Sequence, residues 1–437
     1  LGKAKSFCRP VDALDVALSK PDFYFLHICL NTVYSKRDMK SSPSESPPIS
    51  ERMGVYIHIP FCRGKCPYCD FVSHWIDRLN QDTRREILDG VRKELGLWLD
   101  RLPDLRTKPI DSVYFGGGTP SLLEPLEIQR ILTAVEEAFD FRGYDLYGGP
   151  EITVECNPGS TELGALNGFR EVGVNRASLG VQSFRDEKLR ALGRRHDRED
   201  ALRAVRHIQS AGFPSWSMDL IYGAPGDRLS DWLQDIEETL SLRPPHVSVY
   251  GMTIHEGTPF HEARRRRKIR LPDDDTQREM YLAARRALRE AGYVHYEISN
   301  YALPGHESRH NRLYWNMAEY LGLGVSAHSY LAGRRHMNPN DLDTWLGRLR
   351  DNQLPAEDDE GVSLRSLRGE RIMLSLRQTE GVSLSWLNAQ LGCDFRVEYA
   401  TEIEELTLSG LIETTEDKAH LTEEGMLLSD TVFLTFF

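Results

Sequence analysis

No apolar run in the 437 residues approaches the about 18 that a membrane-spanning helix needs. The stretch Phe23 to Leu30 is far too short and is broken by His27. Excess positive charge is also missing. Lys and Arg number 54 against 66 Asp and Glu, so the formal charge is −12, which argues against a general nucleic-acid binder. The one basic block, Arg264-Arg265-Arg266-Arg267-Lys268, reads as a solvated helix end, with a phosphate or polyanion contact as the alternative. Cysteine is scarce and odd in number: Cys8, Cys29, Cys62, Cys66, Cys69, Cys156 and Cys393. That count excludes a disulfide framework and suits an intracellular metal protein. Cys156 and Cys393 stand alone and are expected to be buried structural thiols.

What is present is an ordinary composition, 40% hydrophobic and 27% charged, in a chain long enough for one large α/β unit and a smaller one. Residues 1–52 show no sustained period, and Lys40 to Pro48 is rich in Ser and Pro. Their Asp12, Asp15, Asp22 and Asp38 are unlike an acid-poor transit peptide. The expectation is an extension foreign to the fold, with a natural start at Met39 or Met53. Residues 53–350 would then form the main unit and 351–437 a second one. From Val55 on, short β-branched runs alternate with amphipathic stretches. The runs are Val55–Ile59, Ser112–Phe115, Ile152–Glu155, Arg176–Val181, Trp216–Ile221 and His246–Met252. Helices are expected at Arg84–Leu99, Glu127–Ala138, Arg198–Ala211, Trp232–Leu242 and Gln277–Ala291, with a further strand at Tyr296–Asn300. Strands separated by helices imply right-handed βαβ units, and six of them predict an α/β fold built as a partial (β/α)6 barrel.

Unusual residues follow the strands' carboxyl ends. Cys62 follows the first, Gly116-Gly-Gly-Thr119 the second; Glu155 ends the third, Gln182 the fourth, and Asp219 lies late in the fifth. Parallel barrels place their active sites on that face. Cys62, Cys66 and Cys69 offer three soft thiolate ligands. Three ligands on a four-iron cluster leave one iron open, which the amino and carboxylate groups of S-adenosylmethionine can chelate. An electron from the cluster can then break a sulfonium bond and release a 5′-deoxyadenosyl radical. Zinc with a distant fourth ligand, His58 or His74, is the alternative.

The C-x3-C-x2-C spacing after a strand resembles the radical S-adenosylmethionine superfamily. Tyr56-Ile-His-Ile-Pro-Phe-Cys62, Phe115-Gly-Gly-Gly-Thr-Pro-Ser121, Val154-Glu-Cys-Asn-Pro158, Gly180-Val-Gln-Ser183 and Asp219-Leu-Ile-Tyr-Gly223 resemble the oxygen-independent coproporphyrinogen III oxidase family. The resemblance implies a [4Fe–4S] cluster on Cys62, Cys66 and Cys69. It implies S-adenosylmethionine near Gly116, Gly117, Gly118 and Thr119, with Glu155, Gln182, Arg194 and Asp219 holding its polar groups. Tyr56 and Tyr68 match positions near cofactor and cluster, or simply pack in the barrel mouth. Taken from the residues alone, glycines let backbone amides approach a ligand, a carboxylate suits ribose hydroxyls or an ammonium, and Arg194 suits a carboxylate.

Two features divide the family. The oxidase pattern has another cysteine two residues after the third, where this chain has Phe71, and its N-terminal extension is unlike residues 1–52. The string His310-Asn-Arg-Leu-Tyr-Trp315 resembles the motif of the heme-chaperone branch. Imidazole can ligate heme iron and aromatic rings can pack on porphyrin, so His310, Asn311, Tyr314 and Trp315 are the heme candidates, against a plain packing role. His328 and His336 are the competing imidazoles, and Gly322-Leu-Gly324 is expected to form a turn near them.

From about Asp358 the chain reads as helices Leu364–Leu376, Leu384–Leu391 and Val397–Ser409, a ribbon of Leu411–Thr414 and Ala419–Leu421, and a last helix from Glu423. That order fits a winged-helix-like domain, expected to act as a lid over the barrel mouth or as a docking surface. The expectation for the whole is a carrier that binds a [4Fe–4S] cluster, S-adenosylmethionine and heme and delivers heme to an acceptor protein. Conversion of coproporphyrinogen III to protoporphyrinogen IX, or radical chemistry on another substrate, are the alternatives. The cofactor residues look intact, so cofactor binding is expected to survive. An electron donor is implied, and a monomer or weak dimer, in the cytoplasm or an organelle such as the mitochondrion, with peripheral membrane contact left open.

Overall fold

The computed structural model describes residues 52–139, 141, 149–358 and 363–437. The expectation about the N-terminal extension falls on 1–51, outside the described residues. Six parallel strands form the centre: β1 (Met53–Ile59), β4 (Ile110–Gly117), β5 (Glu151–Cys156), β6 (Arg176–Gln182), β7 (Ser215–Tyr222) and β8 (His246–Gly251). Helices Gln81–Arg101, Pro125–Ala138, Leu163–Glu171, Arg198–Ala211 and Leu229–Leu242 connect them. The short strands β2 (Phe61–Cys62) and β3 (His74–Trp75) pair beside the opening.

Alternation along each strand separates two faces. Val55, Ile57 and Ile59, then Ile152, Val154 and Cys156, then Ala177, Leu179 and Val181 pack with the helices in one core. Each such side chain contributes about 1.5–3 kcal/mol of burial. The alternate residues are polar, among them Ser112, Glu155, Ser178, Ser217, Asp219 and Ser248, and they face the barrel interior. A polar lumen is what a hydrated, ligand-holding barrel requires.

The sheet extends further than the six strands. β9 (Val294–Glu297) and β10 (Asn300–Ala302) form an antiparallel hairpin at the β8 edge, so the expected strand Tyr296–Asn300 is a turn between two. At the other edge β11 (Glu319–Leu323) runs parallel to β1, followed by antiparallel β12 (His328–Leu331), β13 (Arg334–Met337) and β14 (Glu357–Asp358). The expected turn at Gly322–Gly324 is therefore corrected. Gly322 is a strand residue opposite Tyr56, and only Gly324, at φ +101°, leaves the strand. A Cβ on Gly324 would lie 2.6 Å from the His58 carbonyl oxygen. Its amide donates to the buried Glu94 carboxylate at 2.9 Å, which also accepts from Asn338 at 2.6 Å and Trp345 at 3.1 Å.

The C-terminal residues build a second core from helices Leu364–Leu376, Leu384–Leu391 and Ala400–Leu408 and a small sheet of Val382–Ser383, Lys418–Leu421 and Ile412–Thr414. The expected helix Val397–Ser409 is interrupted at Tyr399. This core includes Ile298, Tyr314, Trp315 and Tyr320, so it packs against the β9–β10 turn, the helix Arg309–Trp315 and β11. Glu423 and Glu424 pair with Arg285 and Arg278 of the helix Asp274–Glu290. A buried ion pair fastens this core: Arg377 donates from Nη2 to Glu297 Oε2 at 3.1 Å.

Candidate functional site

Where β1 ends, Pro60 turns the chain into the cysteine loop. The imidazole of His58, fully buried, shares hydrogen bonds with the Val72 carbonyl at 2.8 Å and the Tyr56 hydroxyl at 3.2 Å. It thereby ties the start of the loop to its end. Both ring nitrogens are engaged, which removes His58 as a metal ligand. Cys62, Cys66 and Cys69 are unpaired with other cysteines and half-buried along one cavity of about 430 Å³. Among the described residues no three His, Cys, Asp or Glu side chains converge as a single metal ion requires. His74, the other zinc candidate, is not among the cavity's lining residues. Three thiols spread along a wall suit a multi-iron body better than one zinc ion. Burial pushes the Cys69 thiol up to about 12 and raises Cys62. A bound cationic cluster offsets that cost by favouring thiolate.

The glycine run lies against this loop. Gly117 has φ +103°, and a Cβ there would lie 2.5 Å from the His58 ring; one on Gly118 would lie 2.6 Å from the Phe61 carbonyl oxygen. The glycines are thus required by the protein's own packing, while Gly117, Gly118 and Thr119 still line the cavity. Gly116 is not among the lining residues, and its hydrogen side faces the Tyr56 and Tyr114 rings. Tyr56 is likewise behind the wall, stacked on Tyr114 with centroids 6.2 Å apart. Tyr68 does line the cavity and packs on Phe260.

On the next strands Glu155 accepts from the Tyr114 hydroxyl at 2.8 Å and the Gly117 amide at 3.0 Å. Burial first, then the Asp219 charge, raises its carboxyl to about 7 against the lowering effect of the hydrogen bonds. Asp219 accepts from Ser178 at 3.1 Å, and burial raises it to about 6. Gln182 sits at φ +67°, a conformation that L residues avoid, with a buried Oε1 that no hydrogen bond satisfies. Arg194 donates to Asn157 at 2.5 Å, to the Gly180 carbonyl at 2.9 Å and to Cys66 Sγ at 3.8 Å. Glu155, Asp219, Arg194 and the thiols of Cys62, Cys66 and Cys69 all line this one cavity. Such a lining can hold a zwitterionic amino acid with a cationic centre beside a metal cluster.

Sequence reasoning passed over Asn157, which joins Arg194 to Thr119 by donating to Thr119 Oγ1 at 2.8 Å. It also passed over Tyr114, Ser178 and Tyr250. For Tyr114 and Ser178 the signal was present, since each shares inward-facing parity with a candidate on its strand, Gly116 and Gln182.

The heme string is elsewhere. His310, Tyr314 and Trp315 are buried in the helix Arg309–Trp315, which plugs the barrel where the strands start. His310 shares hydrogen bonds with Ser112 Oγ at 2.7 Å and Tyr314 Oη at 2.8 Å and stacks on Tyr114. With both nitrogens engaged and burial pushing its basicity down to about 3, His310 does not present a ligand to an outside heme. Trp315 lies under the Arg377 guanidinium, 4.5 Å from the ring centre. Asn311 is half-buried, its amide capped by Ser308 at 3.3 Å. The competing imidazoles His328 and His336 are buried in β12 and β13. The heme candidates His310, Tyr314 and Trp315 thus lie in a buried helix apart from the cavity, with the His310 ring held by Ser112 and Tyr314.

Among the described residues no helix is long and apolar enough to cross a membrane. Comparison with known proteins places a Radical SAM superfamily match at residues 56–239 and a HemN C-terminal domain match at 362–428. The chain is 34% identical over 385 residues to the heme chaperone HemW of Lactococcus lactis, covering 87% of this chain and 96% of that one. It is 32% identical to the heme chaperone HemW of Bacillus subtilis, covering 87% and 98%. Among solved structures, coproporphyrinogen III oxidase (HemN) from Escherichia coli shares the fold, with TM-score 0.72, 24% identity and 90% coverage of both chains.

Proposed function

Because this chain belongs to the HemW family of heme chaperones within the radical SAM superfamily, we propose that it binds heme and hands it to an acceptor protein. The observation that carries the reading is a match running through 96% of a heme chaperone's length. Phe71 supports it, lining the cavity where the oxidase resemblance calls for a further cysteine.

In this reading Cys62, Cys66 and Cys69 hold a [4Fe–4S] cluster, and the cavity beside it takes S-adenosylmethionine. When bound, the cluster supplies an electron for reductive cleavage of the sulfonium. The chain's own residues do the positioning. Glu155 and Asp219 attract the ammonium or ribose hydroxyls, the Gly117, Gly118 and Thr119 backbone meets the methionine amino end, Arg194 meets the carboxylate, and Tyr68 closes the wall. Gln182, with its unsatisfied Oε1, offers an acceptor to a ligand donor. Tyr56 and Gly116 act from behind, holding the glycine loop in place.

The deciding experiment titrates anaerobically reconstituted protein with heme and separately assays coproporphyrinogen III. Heme binding with transfer to an apo-hemoprotein, and no protoporphyrinogen IX, is the expected outcome. Robust decarboxylation with reduced cluster and S-adenosylmethionine would falsify the carrier assignment and restore the oxidase.

A further inference from the structure

Gln182 holds φ +67°, a left-handed conformation that an L residue keeps only where its surroundings fix it. The pairing of β6 with β7 shifts register at the same place, between Leu179 and Gln182. Gly180 makes room for the side chain, since a Cβ there would lie 2.9 Å from Gln182 Nε2. The carbonyls of the two preceding residues are taken: Gly180 accepts from Arg194 at 2.9 Å and Val181 from His196 Nε2 at 3.0 Å. The two residues that follow are held from outside the cavity. Ser183 Oγ donates to Asp235 Oδ2 at 2.7 Å, and the Phe184 amide donates to Asp235 Oδ1 at 2.8 Å.

Asp235 lies among Trp232, Ile236 and Thr239 on the buried face of the helix Leu229–Leu242. A carboxylate there is costly unless charge and hydrogen bonds compensate it. Lys188 supplies the charge. Its Nζ lies 3.4 Å from Asp235 Oδ2, 2.7 Å from Asp227 Oδ2 and 5.1 Å from the centre of the Trp232 ring. Side-chain exposure is 5% for Lys188, 1% for Asp227 and 0% for Asp235, so water does little of this work. Asp227 in turn accepts from the Gly223 amide at 3.1 Å, just past the end of β7, where φ is +73°. One buried cation thus ties the turns that follow β6 and β7, the strands that carry Gln182 and Asp219. Lys188, Asp227 and Asp235 are not among the residues lining the cavity.

We propose that Asp235, with Lys188 as its counter-charge, is a positioning residue for S-adenosylmethionine. It pins Ser183 and Phe184, so that Gln182 keeps its left-handed backbone and presents its unsatisfied Oε1 to a hydrogen-bond donor of the cofactor. The inference rests on the assignment of the cavity to S-adenosylmethionine. A purely structural triad would be served by any buried donors; here both donors to Asp235 come from the residues directly after the strained one.

The test is a double-mutant cycle on anaerobically reconstituted protein, with S-adenosylmethionine affinity read by calorimetry well below the unfolding temperature. Asp235→Asn keeps the side chain's shape but turns an amide NH2 toward one of the two donors, and should weaken binding about tenfold. Gln182→Ala should also weaken it about tenfold. The double variant should bind no worse than Gln182→Ala alone, because the clamp acts through a side chain that is no longer there. Ser183→Ala should weaken binding about threefold, and it carries the same cycle where Asp235→Asn does not fold. On protein without S-adenosylmethionine, exchange of the Phe184 amide in Asp235→Asn should quicken about tenfold relative to the amides of β1. Wild-type affinity in folded Asp235→Asn, or in Gln182→Ala, overturns the proposal. So does a double variant whose losses add in full, which would make the triad a support of the whole cavity. Wild type that binds no S-adenosylmethionine, with the exchange contrast at Phe184 intact, overturns the cofactor reading and leaves the clamp on Gln182 in place.

Discussion

Glu155 is held between two demands. Its carboxyl is raised to about 7 in the folded protein, above its ordinary value of 4.5, mainly by burial. Protonation therefore favours the fold: the contribution is complete below the unfolded value and is lost as pH rises through about 7. Asp219, raised to about 6, adds in the same direction. Stability of the ligand-free protein should decline between pH 5 and 8, and Glu155→Gln should flatten that decline by about 1 kcal/mol, read from urea unfolding at several pH values. S-adenosylmethionine needs the opposite state. Its affinity should weaken below about pH 6, and Glu155→Gln or Asp219→Asn should cost about tenfold at pH 8 by calorimetry. Unchanged affinity in both variants places the cofactor elsewhere. The thiols make a simpler contrast. Cys62→Ala, Cys66→Ala and Cys69→Ala should each lose iron on metal analysis, whereas Cys156→Ala should keep it. Cys156 is buried at the end of β5 where it reaches the cavity wall, its thiol against the Val154 carbonyl at 3.7 Å and outside the cysteine loop. A Cys156 variant without iron would mean that the cluster draws on that wall. All four cysteines were visible in the sequence; what separated them was parity on a strand, which spacing alone revealed for the cluster and only weakly for Cys156.

At the scale of elements, the helix Arg309–Trp315 is the clearest case of one sequence string with two physical outcomes. An imidazole flanked by aromatic rings serves equally as a heme ligand or as a self-satisfied plug. Here Ser112 at the start of β4 and Tyr314 one turn along take both nitrogens. His310→Ala should lower stability by about 2–4 kcal/mol, because it leaves a void and two unpaired buried hydroxyls. The heme absorption spectrum of the folded fraction should keep its position. A shifted spectrum with unchanged thermal stability would restore His310 as ligand. The six central strands were legible because each carries apolar residues on one parity and polar residues on the other. β11 to β14 were not, since strands of two to five residues have no period of their own. Their strand character comes from pairing with β1 and with each other.

Across the whole molecule, the cavity draws on residues from Cys62 to His255, and none of the second core's residues lines it. The buried pair Arg377–Glu297 joins that core to the sheet. Arg377→Ala leaves Glu297 buried without this cation and should cost about 3–5 kcal/mol. Hydrogen exchange should rise over the C-terminal core, while iron content of the folded protein stays near wild type. Loss of the cluster in that variant would mean that the second core supports the cavity after all. Local periodicity identifies the helices and ribbon of the second core but not the surface they cover. Trp315, Tyr314 and Ile298 are among the apolar side chains of the barrel that this core buries. Determined by the sequence itself were the parallel α/β barrel, the three-thiol loop and the residues at the strands' carboxyl ends, because strand period and motif spacing are local and covalent. Decided only by tertiary structure were the burial of His310 and the pairing of Arg194 with Asn157 and Cys66. Each depends on which distant segments pack together, a choice made by the free energy of the whole core.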